Sequence, residues 1–304
     1  MISQWILGLA GTPDGHVLAL SLALFAAILH ATFGALQKGR HDPWMTRGAT
    51  DIVYGLIMLP VALFMVPRPT PAIWVLLAGA WVIHTIYKLL QASAYTRGDF
   101  TVVYPVVRGS GPLITVAAAT VVFNETFTLM QWLGVAALSG GILGLAAYNL
   151  RKTTIDLLRL QQALGLAVLT GISVAAYTTY DAYGIRSSLD PFTFLAWFFV
   201  VDGVSLPAIA VWRWRRLPAP PRLRPLMLRG LIGGIIAILS FGSIMLATRL
   251  DKVGEAAVLR ETSTLFAALI GWLFLKETVG PLRAALMGLI AFGAVLVEFG
   301  AKVG

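Results

Sequence analysis

Arg108 and Arg260 lie inside long apolar stretches and stand 152 residues apart, and the same offset aligns Arg97 with Arg249, Asp99 with Asp251, Glu125 with Glu277 and Thr126 with Thr278. Five charged or hydroxyl identities at one spacing mark an internal duplication. A guanidinium near the centre of a bilayer costs roughly 2.5 to 3.5 kcal/mol on insertion scales, so a chain that keeps one there uses it to line a cavity or pathway. The chemistry it offers is charge-assisted recognition of a carboxylate, phosphate or phosphonate. A second constellation lies in the stretch 72–94, where His84, Tyr87, Lys88 and Gln91 recur at i, i+3, i+4 and i+7 and so share one helical face, with Trp81 extending it by a turn.

The surroundings of the two arginines differ. Tyr104 shares a helical face with Arg108, and Pro105, Gly109, Gly111 and Pro112 weaken the stretch 101–123, where a kink or an unwound turn that hinges is expected. Two readings of Arg108 stay open: contact with an anionic substrate, or neutralisation of Asp51 in the stretch 48–66. In the stretch 254–275, Arg260 is followed by Glu261, Thr262, Ser263 and Thr264, whereas the first copy has Gly109 and Pro112 at the places of Glu261 and Thr264. The stretch 227–247 puts Ile236, Leu239, Ser240 and Ser243 where the first copy has its polar face, and its Gly233, Gly234 and Gly242 suit close helix packing. Asp181, one turn after Tyr177, and Asp202 are the two acidic candidates for pairing with Arg260.

The elements that must position these groups are membrane helices. With 58% apolar and 12% charged residues and a mean hydropathy of +0.82, the chain carries more hydrocarbon surface than a soluble domain of 304 residues needs. Ten stretches reach the roughly 20 residues that cross a bilayer: 17–37, 48–66, 72–94, 101–123, 127–148, 161–185, 191–212, 227–247, 254–275 and 280–300. The expected organisation is a surface segment (1–16, with Trp5 at the interface and no signal-peptide pattern), a five-helix repeat (17–150), a polar linker (151–160) and a second five-helix repeat (161–304). Five crossings is an odd number, so the second copy enters the membrane inverted. At offset 147, His30–Leu36 overlies Tyr177–Tyr183 and Leu59-Pro60 overlies Leu206-Pro207, which carries the duplication into the first spans.

The net charge of +9 does not read as a nucleic-acid surface, because the basic residues sit in short loops between apolar runs. Arg213–Pro225, with five arginines and four prolines, is the longest such loop. Lys and Arg counted over the loops number fourteen on the face opposite the termini and five on the face that holds them, which by the positive-inside rule puts the termini outside. The absence of cysteine and of any His-x-x-x-His spacing among His16, His30, His41 and His84 argues against a metal site or a cofactor. Arg108-Gly109-Ser110-Gly111 departs from the Gly-x-Ser-Gly of intramembrane serine proteases and has no identifiable base, so an enzyme is the weaker alternative, as is a channel or structural subunit. Glu125-Thr126 and Glu277-Thr278 fall at turns and read as caps. Gly140, Gly141, Gly144, Gly288 and Gly293 read as close-packing positions, on which a homodimer could also form.

These motifs together resemble the drug/metabolite transporter superfamily, in the form of a ten-helix protein with two EamA domains. The residues that carry the likeness are His30-Ala31 with Lys38, Arg97-Gly98-Asp99, Tyr104-Pro105-Val106-Val107-Arg108-Gly109, Asp181 before Gly184, and Leu259-Arg260-Glu261-Thr262-Ser263. The nearest flavour is a branch associated with phosphonate utilisation. Gly34-Ala35 departs from the Trp-Asn that relatives often carry after the first-helix histidine. The resemblance implies an all-α secondary transporter of the inner membrane, with cytoplasmic termini, that moves amino acids or related small metabolites by alternating access. Its expected central site comprises His30, His84, Tyr87, Lys88, Tyr104, Arg108, Tyr177, Asp181, Arg260 and Glu261. Lys88 and Arg108 would meet the anionic group, and His30, Asp181 or Glu261 would take a coupling proton.

Overall fold

A backbone without water to bond to must satisfy its own N–H and C=O groups, and in this chain it does so as helices. The computed structural model describes residues 2–37, 42–98, 100–151, 157–273 and 280–300, and among them there is no strand. The helices are α1 (Ile2–Leu9), α2 (Pro13–Gln37), α3 (Pro43–Phe64), α4 (Pro71–Arg97), α5 (Phe100–Phe123), α6 (Leu129–Leu150), α7 (Leu157–Ser187), α8 (Pro191–Asp202), α9 (Ser205–Trp214), α10 (Leu223–Leu250), α11 (Val253–Glu261), α12 (Ser263–Leu273) and α13 (Pro281–Phe299). Among the described residues nine helical segments are long and apolar enough to cross a membrane, with α8 and α9 together counting as one. The paired helices α11 and α12 run from Val253 to Leu273, the length of a tenth crossing interrupted at Thr262. The protein is an all-α membrane protein.

Helix starts follow local chemistry. Asp42 accepts hydrogen bonds from the Trp44 and Met45 backbones at 2.8 and 3.2 Å, with Pro43 at the first helical position, so α3 begins five residues before the expected 48 and takes Arg47 into the membrane helix. Thr128 and Gln131 close a capping box on α6, and Asp190 caps α8. Asn124, in the left-handed region at φ 54°, ends α5. The chain then turns so that the Glu125 carboxylate accepts from the Val253 and Gly254 amides at 2.7 and 3.0 Å. Glu125 is thus a cap, as its position at a turn suggested, but for α11 of the other repeat. Glu277 and Thr278 lie outside the described residues. The first residues form α1, with Ile6 buried and Trp5 58% exposed, and Gly11 at φ 74° turns the chain into α2 while its N–H donates to the Leu250 carbonyl at 3.0 Å.

The packing has the signature of a two-fold pseudo-axis between α2–α6 and α7–α13. The first helix of one half packs on the third crossing of the other in both directions, as α2 on α10 and as α7 on α4. The first helix also meets the opposite fourth crossing both ways, as α7 on α5 and as α2 on α11 and α12. The second crossings pair as α3 with α8 and α9, and the fifth as α6 with α13. Glycines set the closest of these approaches. A Cβ on Gly293 would stand 2.5 Å from the Leu138 nitrogen, one on Gly134 2.8 Å from the Gly293 carbonyl, and one on Gly141 3.0 Å from the Leu286 carbonyl. Gly230, Gly233 and Gly234 do the same for α10 against α3. Gly140 and Gly288 depart from the expectation: each faces open space.

That contrast is testable. Gly293→Val forces overpacking of α6 on α13 and should cost about 1 to 3 kcal/mol, whereas Gly288→Val should stay within about 0.5 kcal/mol of the parent. Thermal unfolding of both variants in detergent measures the difference.

Candidate functional site

Arg108 on α5 and Arg260 on α11 meet at the interface of the two halves, on one carboxylate. Arg108 Nη1 donates to Glu261 Oε1 at 2.9 Å, and Arg260 Nη2 reaches the same oxygen at 3.4 Å and Thr178 Oγ1 at 3.3 Å. All three charged residues are at most 4% exposed. The Arg108 guanidinium lies 5.5 Å from the Tyr104 ring and that of Arg260 5.8 Å from the Tyr177 ring. The approach of α5 to α7 depends on Gly171, where a Cβ would fall 1.9 Å from Ser110 Oγ. Glu261 Oε2, Arg260 Nε, Ser263 Oγ and Thr264 Oγ1 are buried without a hydrogen-bond partner among the described residues. Native proteins leave few such atoms, so two within one ion cluster and two on the residues just after it mark a place built for polar contacts.

Lys88 sits in a separate cage. Its Nζ donates to Asp51 Oδ2 at 2.6 Å, Tyr54 Oη at 2.9 Å and the Asp202 backbone carbonyl at 3.0 Å, and lies 2.8 Å from Asp202 Oδ2. Arg47 pairs with the other oxygen of Asp51 at 2.9 Å. The Asp202 carbonyl is available because the crossing breaks between α8 and α9. Pro207 has no N–H for the Gly203 carbonyl, and a Cβ on Gly203 would stand 2.9 Å from the Asp51 carbonyl, so only glycine lets α8 end there against α3. The second break, at Thr262, opens a run of three hydroxyl residues, and the Thr262 hydroxyl donates to the Leu259 carbonyl at 2.6 Å in competition with the helix ladder.

Between these ion groups lies an aromatic layer around His84. Tyr177, Phe198 and Phe241 stand 4.5, 4.8 and 5.9 Å from the His84 ring, and Tyr87 packs edge-on to Tyr177 at 4.8 Å. On one side is a cavity bordered by His30, Arg47, Tyr54, Tyr87, Tyr104 and Asp202, in which the centre of a water molecule has about 30 Å³ to move. On the other is a cavity of about 10 Å³ by the same measure, bordered by Tyr177, Thr178, Asp181, Thr248 and Arg260. One water needs roughly 10 to 15 Å³, so both chambers are narrow. Phe241 lines both, and the bond from His84 Nε2 to Asp181 Oδ2, at 2.7 Å, links a residue of the first chamber to one of the second.

A model of the EamA-like transporter family matches residues 15–147 and again 161–299. The chain belongs to that family. A solved crystal structure superposes with a TM-score of 0.75 over 93% of this chain and 97% of the other at 16% identity, which shows a shared fold. The uncharacterized protein y4nH of Sinorhizobium fredii (strain NBRC 101917 / NGR234) is 38% identical over 68 residues, 22% of this chain and 58% of that protein. Two EamA repeats thus account for the duplication, and the chain is a multi-pass member of a transporter family.

Within this EamA pair, the ten residues expected at the site divide among the three groups. Arg108, Arg260 and Glu261 meet directly, with Tyr104 and Tyr177 over the guanidiniums; His84, Tyr87 and Asp181 form the aromatic layer and its acid; His30 lines the larger chamber. Lys88 lines neither chamber, because two carboxylates and Tyr54 already enclose its ammonium. Arg108 does not neutralise Asp51, nor is Asp181 or Asp202 the salt-bridge partner of Arg260: Asp51 and Asp202 are taken by Lys88, and Asp181 by His84. The unwound turn expected at Pro105–Pro112 is absent, since α5 stays one hydrogen-bonded helix packed between α6 and α7. Trp81 is 37% exposed and borders neither chamber. Arg47, Tyr54, Phe198 and Phe241 complete the site. Arg47, placed in a loop by the sequence reading and counted there as an orienting charge, carries its signal in Asp51 at i+4.

Removing one partner from a caged buried charge costs about 3 to 5 kcal/mol, because the partners left behind stay desolvated. Lys88→Met should therefore sharply reduce recovery of monodisperse protein on size exclusion, and the double change Lys88→Met, Asp202→Asn, which leaves Asp51 paired with Arg47, should restore much of it.

Proposed function

We propose that this EamA protein is a secondary carrier of the inner membrane for small anionic or zwitterionic metabolites, amino acids and phosphonates among them, bound between Arg108 and Arg260. The observation that carries this reading is the shared carboxylate. Two guanidiniums against Glu261 alone leave one positive charge, at the repeat interface, with Glu261 Oε2 and Arg260 Nε buried and without a partner among the described residues. A carboxylate or phosphonate supplies the missing charge and accepts from the fixed donors of both arginines. Lys88 holds the architecture and does not touch the substrate.

Alternating access would turn on the interrupted crossings, α8 with α9 and α11 with α12, in place of α5. The face that holds both termini is tied shut by a cluster of bonds. Arg186 donates to the carbonyls of Asp251 and Thr248 at 2.6 and 2.8 Å and reaches Glu125 at 3.4 Å, and His16 bridges Asp251 and Glu298. The larger chamber lies toward the opposite face, where Gln91 and Tyr95 near the end of α4 border it. This arrangement supports a conformation closed on the terminal side.

If bound anion and guanidiniums are the transport core, Arg108→Gln and Arg260→Gln should each lower the rate of saturable counterflow in proteoliposomes by at least about tenfold, since a charge-assisted hydrogen bond is worth about 1.5 to 3 kcal/mol. Non-saturable flux, or full rates in folded Arg108→Gln protein, would defeat the assignment. Counterflow also separates a carrier from a channel.

The His84–Asp181 pair is the proposed proton site. A proton on His84 compensates Asp181 and leaves the arginine pair its surplus charge; without it, Asp181 itself offsets that surplus through the chamber it shares with Arg260. Proton and anion should then bind with positive linkage. Accumulation driven by an imposed pH gradient is expected to vanish in His84→Gln and Asp181→Asn while counterflow without a gradient persists, and retained gradient-driven accumulation in both would exclude this pair as the coupling site.

A further inference from the structure

Away from the polar centre, a third cavity opens on the flank where α3, α9 and α10 converge. It gives a water-sized centre about 330 Å³, against about 30 Å³ for the larger central chamber, and shares no lining residue with either chamber. Its walls are apolar, with Ala49, Ile52, Pro207, Ala210, Val211 and Leu226 among them. At the floor α3 touches α9 so closely that a Cβ on Gly48 would stand 2.4 Å from that of Ala210. From Met45 to Ile52 the wall runs about 10 Å along α3, at ~1.5 Å per residue, from the membrane surface inward.

The surface end of this trough is cationic. Arg215 lines it, and Arg222 directly precedes Leu223, which also lines it. Both arginines are exposed and have no ion pair among the described residues, whereas Arg213 reaches Asp42 at 3.4 Å and Arg216 lies over Trp212. Trp214 Nε1 donates to the Pro221 carbonyl at 3.3 Å and ties the proline-rich loop back onto the end of α9.

A trough with apolar walls in the hydrocarbon and unpaired guanidiniums at headgroup depth complements an amphiphile with a negative head. We propose that this cavity is a binding site for an anionic phospholipid of the surrounding bilayer, with one acyl chain along α3 and α9 and the phosphate at Arg215 and Arg222. A second copy of the chain is the poorer occupant, because a two-fold contact here would bring two arginine-rich loops together.

Native mass spectrometry of the full-length protein in mild detergent, given phosphatidylglycerol or phosphatidylcholine of matched chains, tests the site. The parent should retain one phosphatidylglycerol with about 25-fold preference, from roughly fivefold for each of the two arginines. Arg215→Gln with Arg222→Gln should reduce that preference to near one, and Val211→Trp, which fills the trough from an exposed position, should lower retention of both lipids with unchanged thermal unfolding. Equal retention of the two lipids by the parent, or phosphatidylglycerol retention unaltered in both variants, would overturn the proposal. So would a dimer of the parent that Val211→Trp dissociates, since that result gives the cavity to a second copy.

Discussion

One carboxylate between two guanidiniums, all three sealed from water, is the constraint around which the rest of the protein is arranged. An isolated guanidinium at that depth is costly, and its cost falls only where an acid and further donors or acceptors are brought within hydrogen-bond reach. Arg108 and Glu261 are 153 residues apart in sequence and 2.9 Å apart in space, so the pairing exists only when the two halves dock. Gly171, which lets α5 approach α7, and the Glu125 cap that anchors the start of α11 both serve that docking. Helix packing inside lipid has no hydrophobic term of its own to draw on, and here close backbone approach and buried polar pairs supply the specificity.

The second ion group shows how a break in a helix is made useful. Ending α8 at Asp202 frees a backbone carbonyl, and Lys88 occupies it as a tethered cation, held by two carboxylates and a tyrosine. The half-helix thus ends with its negative pole on a positive charge. The same ammonium bonds α3 and α8 to α4, which fixes the helix that carries His84 and Tyr87 into the aromatic layer. A residue that by type looks like a substrate ligand is in this geometry the keystone of the scaffold.

Much of this was legible in the sequence. Apolar run lengths gave the crossings, the offset of 152 gave the duplication and the common depth of the arginines, and the i, i+3, i+4 spacing put His84, Tyr87 and Lys88 on one buried face. Partner choice was not legible, because Asp51, Asp181, Asp202 and Glu261 were all acids at plausible depth and only the packing of α3, α7, α8 and α11 decides which cation each meets. The interruption at Thr262 was missed for a related reason. Proline and glycine announce a break through the backbone, while hydroxyl side chains do so only when burial denies them other acceptors. Conversely, α5 stays one helix through Pro105 and Pro112, whose missing N–H groups leave the Thr101 and Arg108 carbonyls without ladder bonds, because neighbouring helices hold it. Arg47 escaped notice because the Asp42 cap and Pro43 lengthen α3 toward the surface by more than its hydropathy suggests.

Duplication alone would give a symmetric centre, and the chemistry of this one comes from where the copies diverge. Arg108 and Arg260 are repeat equivalents, yet the equivalent of Glu261 is Gly109, so one copy brings an acid and the other brings none. Position 109 is also closed to a larger side chain, since a Cβ there would stand 2.8 Å from Leu143 Cγ. The divergence is therefore locked by the packing of α5 on α6. With an acid in each copy, the two guanidiniums would be fully neutralised from within the protein; with one, a positive charge is left at the pseudo-axis, where both halves can act on whatever it attracts. His30 and its repeat equivalent Tyr177 diverge in the same sense, one bordering the larger chamber and the other the smaller. An inverted pair of EamA domains thus provides the matched depth and the shared axis, and the loss of symmetry at single positions provides the lone acid between two guanidiniums, the His84–Asp181 pair and the difference between the two chambers.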